Sequence, residues 1–160
     1  MVSSKVMKEE VTPVGQKISD YFLLIKMRLS FLVVFSATIT FLYGTGSSFS
    51  WLKLFTLVAG GFLVTGASNG INQILEKDLD KLMDRTHNRP LPTLRMGVNE
   101  AIFACFIMGV AGIFLLYLLN PLTALLGAFS LVSYAFVYTP LKQVTSISVY
   151  VGAIPGAMPP

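Results

Sequence analysis

The sequence predicts an all-α fold, a multi-pass bundle of transmembrane helices, and three observations predict it. Hydrophobic residues make up 54% of the chain and charged residues only 12%, a balance that soluble domains do not show. The apolar residues are gathered into uncharged runs at least as long as the roughly 20 residues a bilayer requires. Lysine and arginine, finally, fall almost entirely in alternate connections between those runs.

Residues 1–20 are polar and mix Lys5, Lys8 and Lys17 with Glu9 and Glu10. A transit peptide would be free of acids, and a signal peptide would open on its apolar core. Here the first apolar run begins beyond Arg28 and is already of spanning length, so residues 1–20 are expected to be a retained cytoplasmic tail and residues 21–160 one membrane domain. Residues 29–52 carry no charge and form the first span, ending at the turn-forming Gly-Thr-Gly-Ser-Ser of residues 44–48. After Lys53, residues 54–75 supply the second, where Gly60, Gly61, Gly66 and Gly70 leave room for close helix approach. The uncharged run 101–141 is too long for one helix and is interrupted by Asn120-Pro121, which divides it into a third and a fourth span. Residues 143–160, uncharged and rich in small residues and proline, read as the start of a fifth.

Counting basic residues orients the chain. The tail to Arg28, the central loop and Lys142 place eleven lysines and arginines on one side, against Lys53 alone on the other. The expected location is therefore a cell (inner) membrane, with the N-terminus and residues 72–91 cytoplasmic, or facing the matrix in an organelle. The partner this implies is the lipid bilayer and not nucleic acid, since the formal net charge of +4 is spread over loops. The single cysteine, Cys105, lies in an apolar run and is expected to be a buried hydrophobe, not part of a disulfide or thiolate metal site.

The chemistry is concentrated in residues 72–91, NQILEKDLDKLMDRTHNRPL. Four of the eight acids lie here, Glu76, Asp78, Asp80 and Asp84, directly after an apolar run. If the second span continues as a helix, Asn72, Glu76 and Asp80 fall at i, i+4 and i+8 and drift only about 40° per step. Like charges one turn apart destabilise a helix, so a compensating cation is expected at this boundary. Three oxygen donors suit magnesium, which keeps several waters and takes one or two carboxylates together with substrate phosphates. The competing reading pairs the acids with Lys77, Lys81 and Arg85 on a solvated face.

Arg85 and Arg89 stand in the turn-forming segment that follows. Their planar forks suit phosphate oxygens, although both also serve the positive-inside bias. His87 has no second histidine or cysteine nearby to complete a zinc site and reads as a loop residue. Tyr138 and Lys142, at i and i+4 on the cytoplasmic end of the fourth span, form another anion contact, or a snorkelling lysine beside an interfacial tyrosine. Arg28, at the mouth of the first span, has the same two readings.

These residues resemble the UbiA-type intramembrane prenyltransferases, whose first acidic motif runs Asn-Asp-x-x-Asp-x-x-x-Asp on the second helix. Asn72, Gln73, Glu76 and Asp80 occupy that pattern, with Gln and Glu as departures from it. The RTxxRPL ending, Lys26-Met27-Arg28, Tyr138 to Lys142 (YTPLK) and the closing GAIPGAMPP look like the branch that farnesylates protoheme IX. The similarity extends from about Asp20 onward.

That resemblance implies a bundle of two related halves with a second aspartate-rich motif in the latter half. On this view the sequence carries the first four helices and the start of a fifth, and is expected to be a fragment inactive by itself. It also implies magnesium as cofactor, farnesyl diphosphate as donor and a vinyl group of protoheme IX as acceptor, giving haem O. Asn72, Glu76 and Asp80 would be the catalytic metal and diphosphate residues. Arg85, Arg89, Tyr138 and Lys142 would contact diphosphate, and Arg28 could face either substrate. The alternatives are a sister prenyltransferase acting on an aromatic or quinone-precursor acceptor, and a cation transporter, which would instead carry its acids within the spans.

Overall fold

The structure, a computed structural model, describes residues 13–46, 49–142, 144, 145, 148, 150, 152 and 153. Helices account for most of them: α1 (Val14–Leu24), α2 (Met27–Thr45), α3 (Trp51–Asp80), α4 (Val98–Leu119), α5 (Pro121–Val132), a π-helical stretch (Ser133–Tyr138) and a short α6 (Thr139–Leu141). No strand occurs among the described residues. Four helical stretches, Met27–Thr45, Trp51–Asp80, Val98–Leu119 and Pro121–Leu141, are long and apolar enough to cross a membrane. The protein is a multi-pass membrane helix bundle, as its composition predicts. Most of residues 143–160, and residues 1–12 of the expected tail, lie outside the described residues.

Two boundaries differ from the sequence reading. The first span ends at Thr45, within the expected turn at Gly46 with its φ of +49°, but α3 already opens at Trp51, so that Lys53, read as lying ahead of the second span, falls in its first turn. At 30 residues α3 is about 45 Å long, against about 30 Å of hydrocarbon, so one of its ends must project from the bilayer core. The second difference is α1, much of which falls in the segment read as tail. Its Val14, Ile18 and Phe22 form an exposed apolar stripe while Asp20 and Leu24 turn inward.

The Asn120-Pro121 break behaves as the sequence requires. Asn120 is extended, its Oδ1 accepts from the Leu122 N–H at 2.8 Å, and Pro121 takes the first helical position, where no donor is lost. The tightest seam runs between α3 and α4. A Cβ on Gly112 would lie 2.9 Å from the Gly60 carbonyl oxygen, one on Gly66 would lie 2.6 Å from Met108 Cε, and one on Gly70 would strike Cys105 Sγ. Gly61 is different: its surroundings leave ordinary contact distance to Val34. Cys105 packs with Leu24, Leu91, Met96 and Ala101, the buried hydrophobe it was expected to be. Phenylalanines on the outer side of α4, such as Phe103, Phe106 and Phe114, remain exposed, as lipid-facing residues do.

Candidate functional site

The last turns of α3 bring Asn72, Glu76 and Asp80 onto one buried face, with relative exposures of 1%, 6% and 3%. Each meets a cation from a different part of the chain. Lys26 Nζ donates to Asn72 Oδ1 at 3.1 Å, Lys142 Nζ lies 2.5 Å from Glu76 Oε1, and Arg89 Nη1 donates to Asp80 Oδ2 at 2.7 Å. The Glu76 contact is an ion pair whose angles do not make a hydrogen bond. The solvated-face reading holds for a different acid: Lys81 pairs with Asp78 at 3.2 Å on the exposed side of the same helix. Helical phase separates the two sets.

Local structure explains how each cation arrives. Between α1 and α2 the chain breaks at Ile25-Lys26, with Lys26 in the left-handed region at φ +49°. Gln73 Nε2 donates to the carbonyls of Leu23 and Leu24, both at 2.8 Å, and Asn69 Nδ2 donates to Ser30 Oγ at 3.2 Å and to the Ile25 carbonyl at 3.4 Å. These buried amides bond the carbonyls at the break, Leu24 together with Leu23 and Ile25, and so hold Lys26 over Asn72. Burial pushes the Lys26 ammonium down to about 8, helped by the positive charges of Arg89 and Lys142 and opposed by Glu76 and Asp80.

Arg89 is carried by a loop folded onto the helix end. Thr86, itself buried, donates to the Asp80 carbonyl at 3.1 Å, and Pro90 and Leu91 are buried beneath. The third cation depends on the π-helical stretch and α6. Thr139 is wholly buried; its hydroxyl donates to the Tyr134 carbonyl at 2.8 Å and accepts from Asn72 Nδ2 at 3.0 Å. Tyr134 and Tyr138 stack with centroids 5.2 Å apart, and Lys142 Nζ lies 5.7 Å from the Tyr138 ring, within cation–π range.

Of the residues singled out from sequence, the structure therefore brings together Asn72, Glu76, Asp80, Arg89 and Lys142, with Tyr138 touching the group through Lys142. Arg28 and Arg85 are exposed and outside it, and His87 is an exposed loop residue. Sequence reasoning did not select Lys26, Asn69, Tyr134 or Thr139. The signals were present, since Lys26 opens the KMR triplet and Thr139 sits within YTPLK.

An apolar trough begins one turn of α3 before Asn72. A cavity of about 210 Å³ is lined by Ser68, Asn69 and Tyr134 and shares Val33, Val64, Thr65 and Ser130 with a second, of about 280 Å³, that reaches Phe41, Leu57 and Leu119. Chemically, two carboxylates and an amide interleaved with three cations can hold a divalent cation and a polyanion together, while the trough accepts an apolar chain.

The sequence matches the UbiA prenyltransferase family over residues 33–160. It is 46% identical to the protoheme IX farnesyltransferase of Flavobacterium psychrophilum over 150 residues, which cover 92% of this chain and 50% of that protein. The protoheme IX farnesyltransferase of Christiangramia forsetii is likewise 46% identical, over 92% of this chain and 49% of its own length. A mitochondrial protoheme IX farnesyltransferase of Arabidopsis thaliana is 42% identical over 88% of the chain and 33% of the relative. No solved structure matches. The chain spans about half the length of the curated relatives it matches first. With four spanning stretches and the acidic strip at the end of its second membrane helix, the chain belongs to the UbiA prenyltransferase family.

Proposed function

We propose that this chain forms the donor-binding part of an enzyme that transfers the farnesyl group of farnesyl diphosphate to a vinyl group of protoheme IX, making haem O. The observation that carries the proposal is the Asn72, Glu76 and Asp80 strip, ringed by Lys26, Arg89 and Lys142 and lying on the same helix one turn beyond Ser68 and Asn69, which line an apolar trough. The names of the relatives supply the acceptor and the prenyl group.

The donor set fits magnesium. All three side chains offer oxygen, two are carboxylates, and buried Glu76 Oε1 has no hydrogen bond beside its ion pair with Lys142. Asn72, Glu76 and Asp80 would hold the ion, which would supply Lewis-acid neutralisation of the diphosphate. Two carboxylates and an amide fill only part of its shell, and diphosphate, water and further acids of the complete protein would fill the rest.

The remaining work falls to side chains of this chain. Lys26, Arg89 and Lys142 are pre-organised by buried partners, so they stabilise negative charge on the departing diphosphate without reorganising as it develops. Residues Val33, Val64 and Leu131 of the trough keep water from the allylic end of the donor. The charge count favours a site on the cytoplasmic side of a cell membrane, where diphosphate and magnesium are available.

The test is haem O formation by membranes holding the complete protein, supplied with protoheme, farnesyl diphosphate and magnesium, with pigments extracted and separated. Asp80→Ala removes a carboxylate and leaves Arg89 unpaired, and should lower turnover by about a hundredfold or more. Full turnover by that variant at saturating substrate would sink the site. Unchanged haem O in cells with and without the gene would move the acceptor to an aromatic or quinone-precursor ring.

A further inference from the structure

We propose that Asp20 is a positioning residue for Arg89, acting through Arg95; the inference rests on the reading of Arg89 as a diphosphate contact. Asp20 is 2% exposed on α1, and its Oδ1 accepts from Arg95 Nε at 3.0 Å. Arg95 reaches back with the other arm of its fork, Nη2 donating to the Asn88 carbonyl at 2.9 Å. Asn88 directly precedes Arg89, whose Nη1 binds Asp80. A continuous chain of contacts thus runs from α1 to the acidic strip: Asp20, Arg95, the Asn88 backbone, Arg89, Asp80.

Two further features point the same way. Leu94 holds φ +60° although it is not glycine and its side chain is 81% exposed, so no packing of its own explains the left-handed backbone. The bend is fixed by the Leu94 N–H on the Leu91 carbonyl and the Met96 N–H on the Pro90 carbonyl, each at 3.2 Å, and it turns Arg95 back toward Asn88. Asp20 Oδ2, meanwhile, is buried with no hydrogen bond. A buried, half-satisfied carboxylate is a costly way to secure an 11-residue surface helix, and its one partner among the described residues, Arg95, leads into the loop. Arg85, in the same loop, is exposed and has no such tether among the described residues. The tether adds to the bonds that Thr86 and Thr93 make to the Arg89 backbone, and it alone links that backbone to α1 in the proposed chain.

The fork matters as much as the charge. A lysine at 95 could meet Asp20 or Asn88, but a single ammonium lacks the planar pair of donors that spans both.

The experiment uses the complete protein in proteoliposomes and measures KM and kcat for farnesyl diphosphate and for protoheme. Asp20→Ala and Arg95→Lys are expected to raise KM for the diphosphate about tenfold while the acceptor KM stays within about twofold. Asp20→Asn keeps an acceptor oxygen for Arg95 and should restore most of the loss. In an Arg89→Gln background, adding Asp20→Ala should cost less than about twofold more, since the tether then has nothing to position. Equal cost of Asp20→Ala with Arg89 present or replaced, or equal shifts for both substrates, overturns the proposal. Wild-type diphosphate KM in Arg89→Gln alone overturns instead the reading of Arg89 on which the proposal rests. For variants that lose activity altogether, trypsin cleavage after Arg85 gives a second readout. Asp20→Ala should speed it about tenfold with no change in the thermal midpoint of the purified protein, and an unchanged rate overturns the tether.

Discussion

Lys26 and Arg28 stand two positions apart, and only Lys26 meets the site. Its left-handed backbone and its bond to Asn72 make it part of the acidic cluster, whereas Arg28 has already entered the first turn of α2 and is exposed. Lys26→Met should raise the KM for the prenyl diphosphate about tenfold, as expected for loss of one charge-assisted contact. Lys26→Arg should retain most of the affinity, and steady-state kinetics on both variants checks the assignment. Equal damage from Arg28→Met would instead reinstate Arg28. At this scale the sequence was legible wherever a periodic element carried it: Asn72, Glu76 and Asp80 share a face because α3 continues unbroken to Asp80. It was not legible where a single backbone torsion or an aperiodic loop decides direction. Choosing Lys26 over Arg28, or Arg89 over Arg85, requires the turn at Lys26 and the fold of the loop behind Asp80, neither of which leaves a repeat in the sequence.

Helix α3 packs against α4 through glycines, and their consequence differs by position. Gly70 is closed by Cys105, so Gly70→Ala should cost about 1–3 kcal/mol by overpacking. Adding Cys105→Ala removes the sulfur that stands in the way and should recover most of the thermal midpoint, a coupling that a double-mutant cycle in detergent measures. Gly61→Ala, whose Cβ would meet Val34 at ordinary contact distance, should leave the midpoint nearly unchanged. The sequence reading assigned all four α3 glycines to packing without ranking them, since rank depends on which atoms of α4 lie opposite. Helix α1 escaped it for another reason. Its eleven residues are too few to span a bilayer, no side chain caps its start, and its apolar stripe is visible only once the helix is known.

For the whole molecule, the excess of lysine and arginine at the site end leads us to propose that this end faces the cytoplasm. With Cys105 replaced by alanine, a His87→Cys variant should react with an impermeant maleimide in inside-out vesicles and stay unlabelled in right-side-out ones. Labelling from the outer face would reverse the topology. The cluster also draws on elements far apart in the chain: Asn72 and Thr139, which bond to each other, are separated by 67 residues. At a synthesis rate of about 5–20 residues per second, α3 waits roughly 3–13 s in the nascent chain before α6 and Lys142 exist to meet it. During that interval Glu76 has no Lys142 beside it and must stay hydrated at the bilayer edge, while Lys26, made earlier, is already at hand. Lys142→Ala would make that unfinished stage permanent. It should therefore lower the amount of protein that accumulates in the membrane as well as its turnover, because quality control would meet Glu76 buried without its counter-charge.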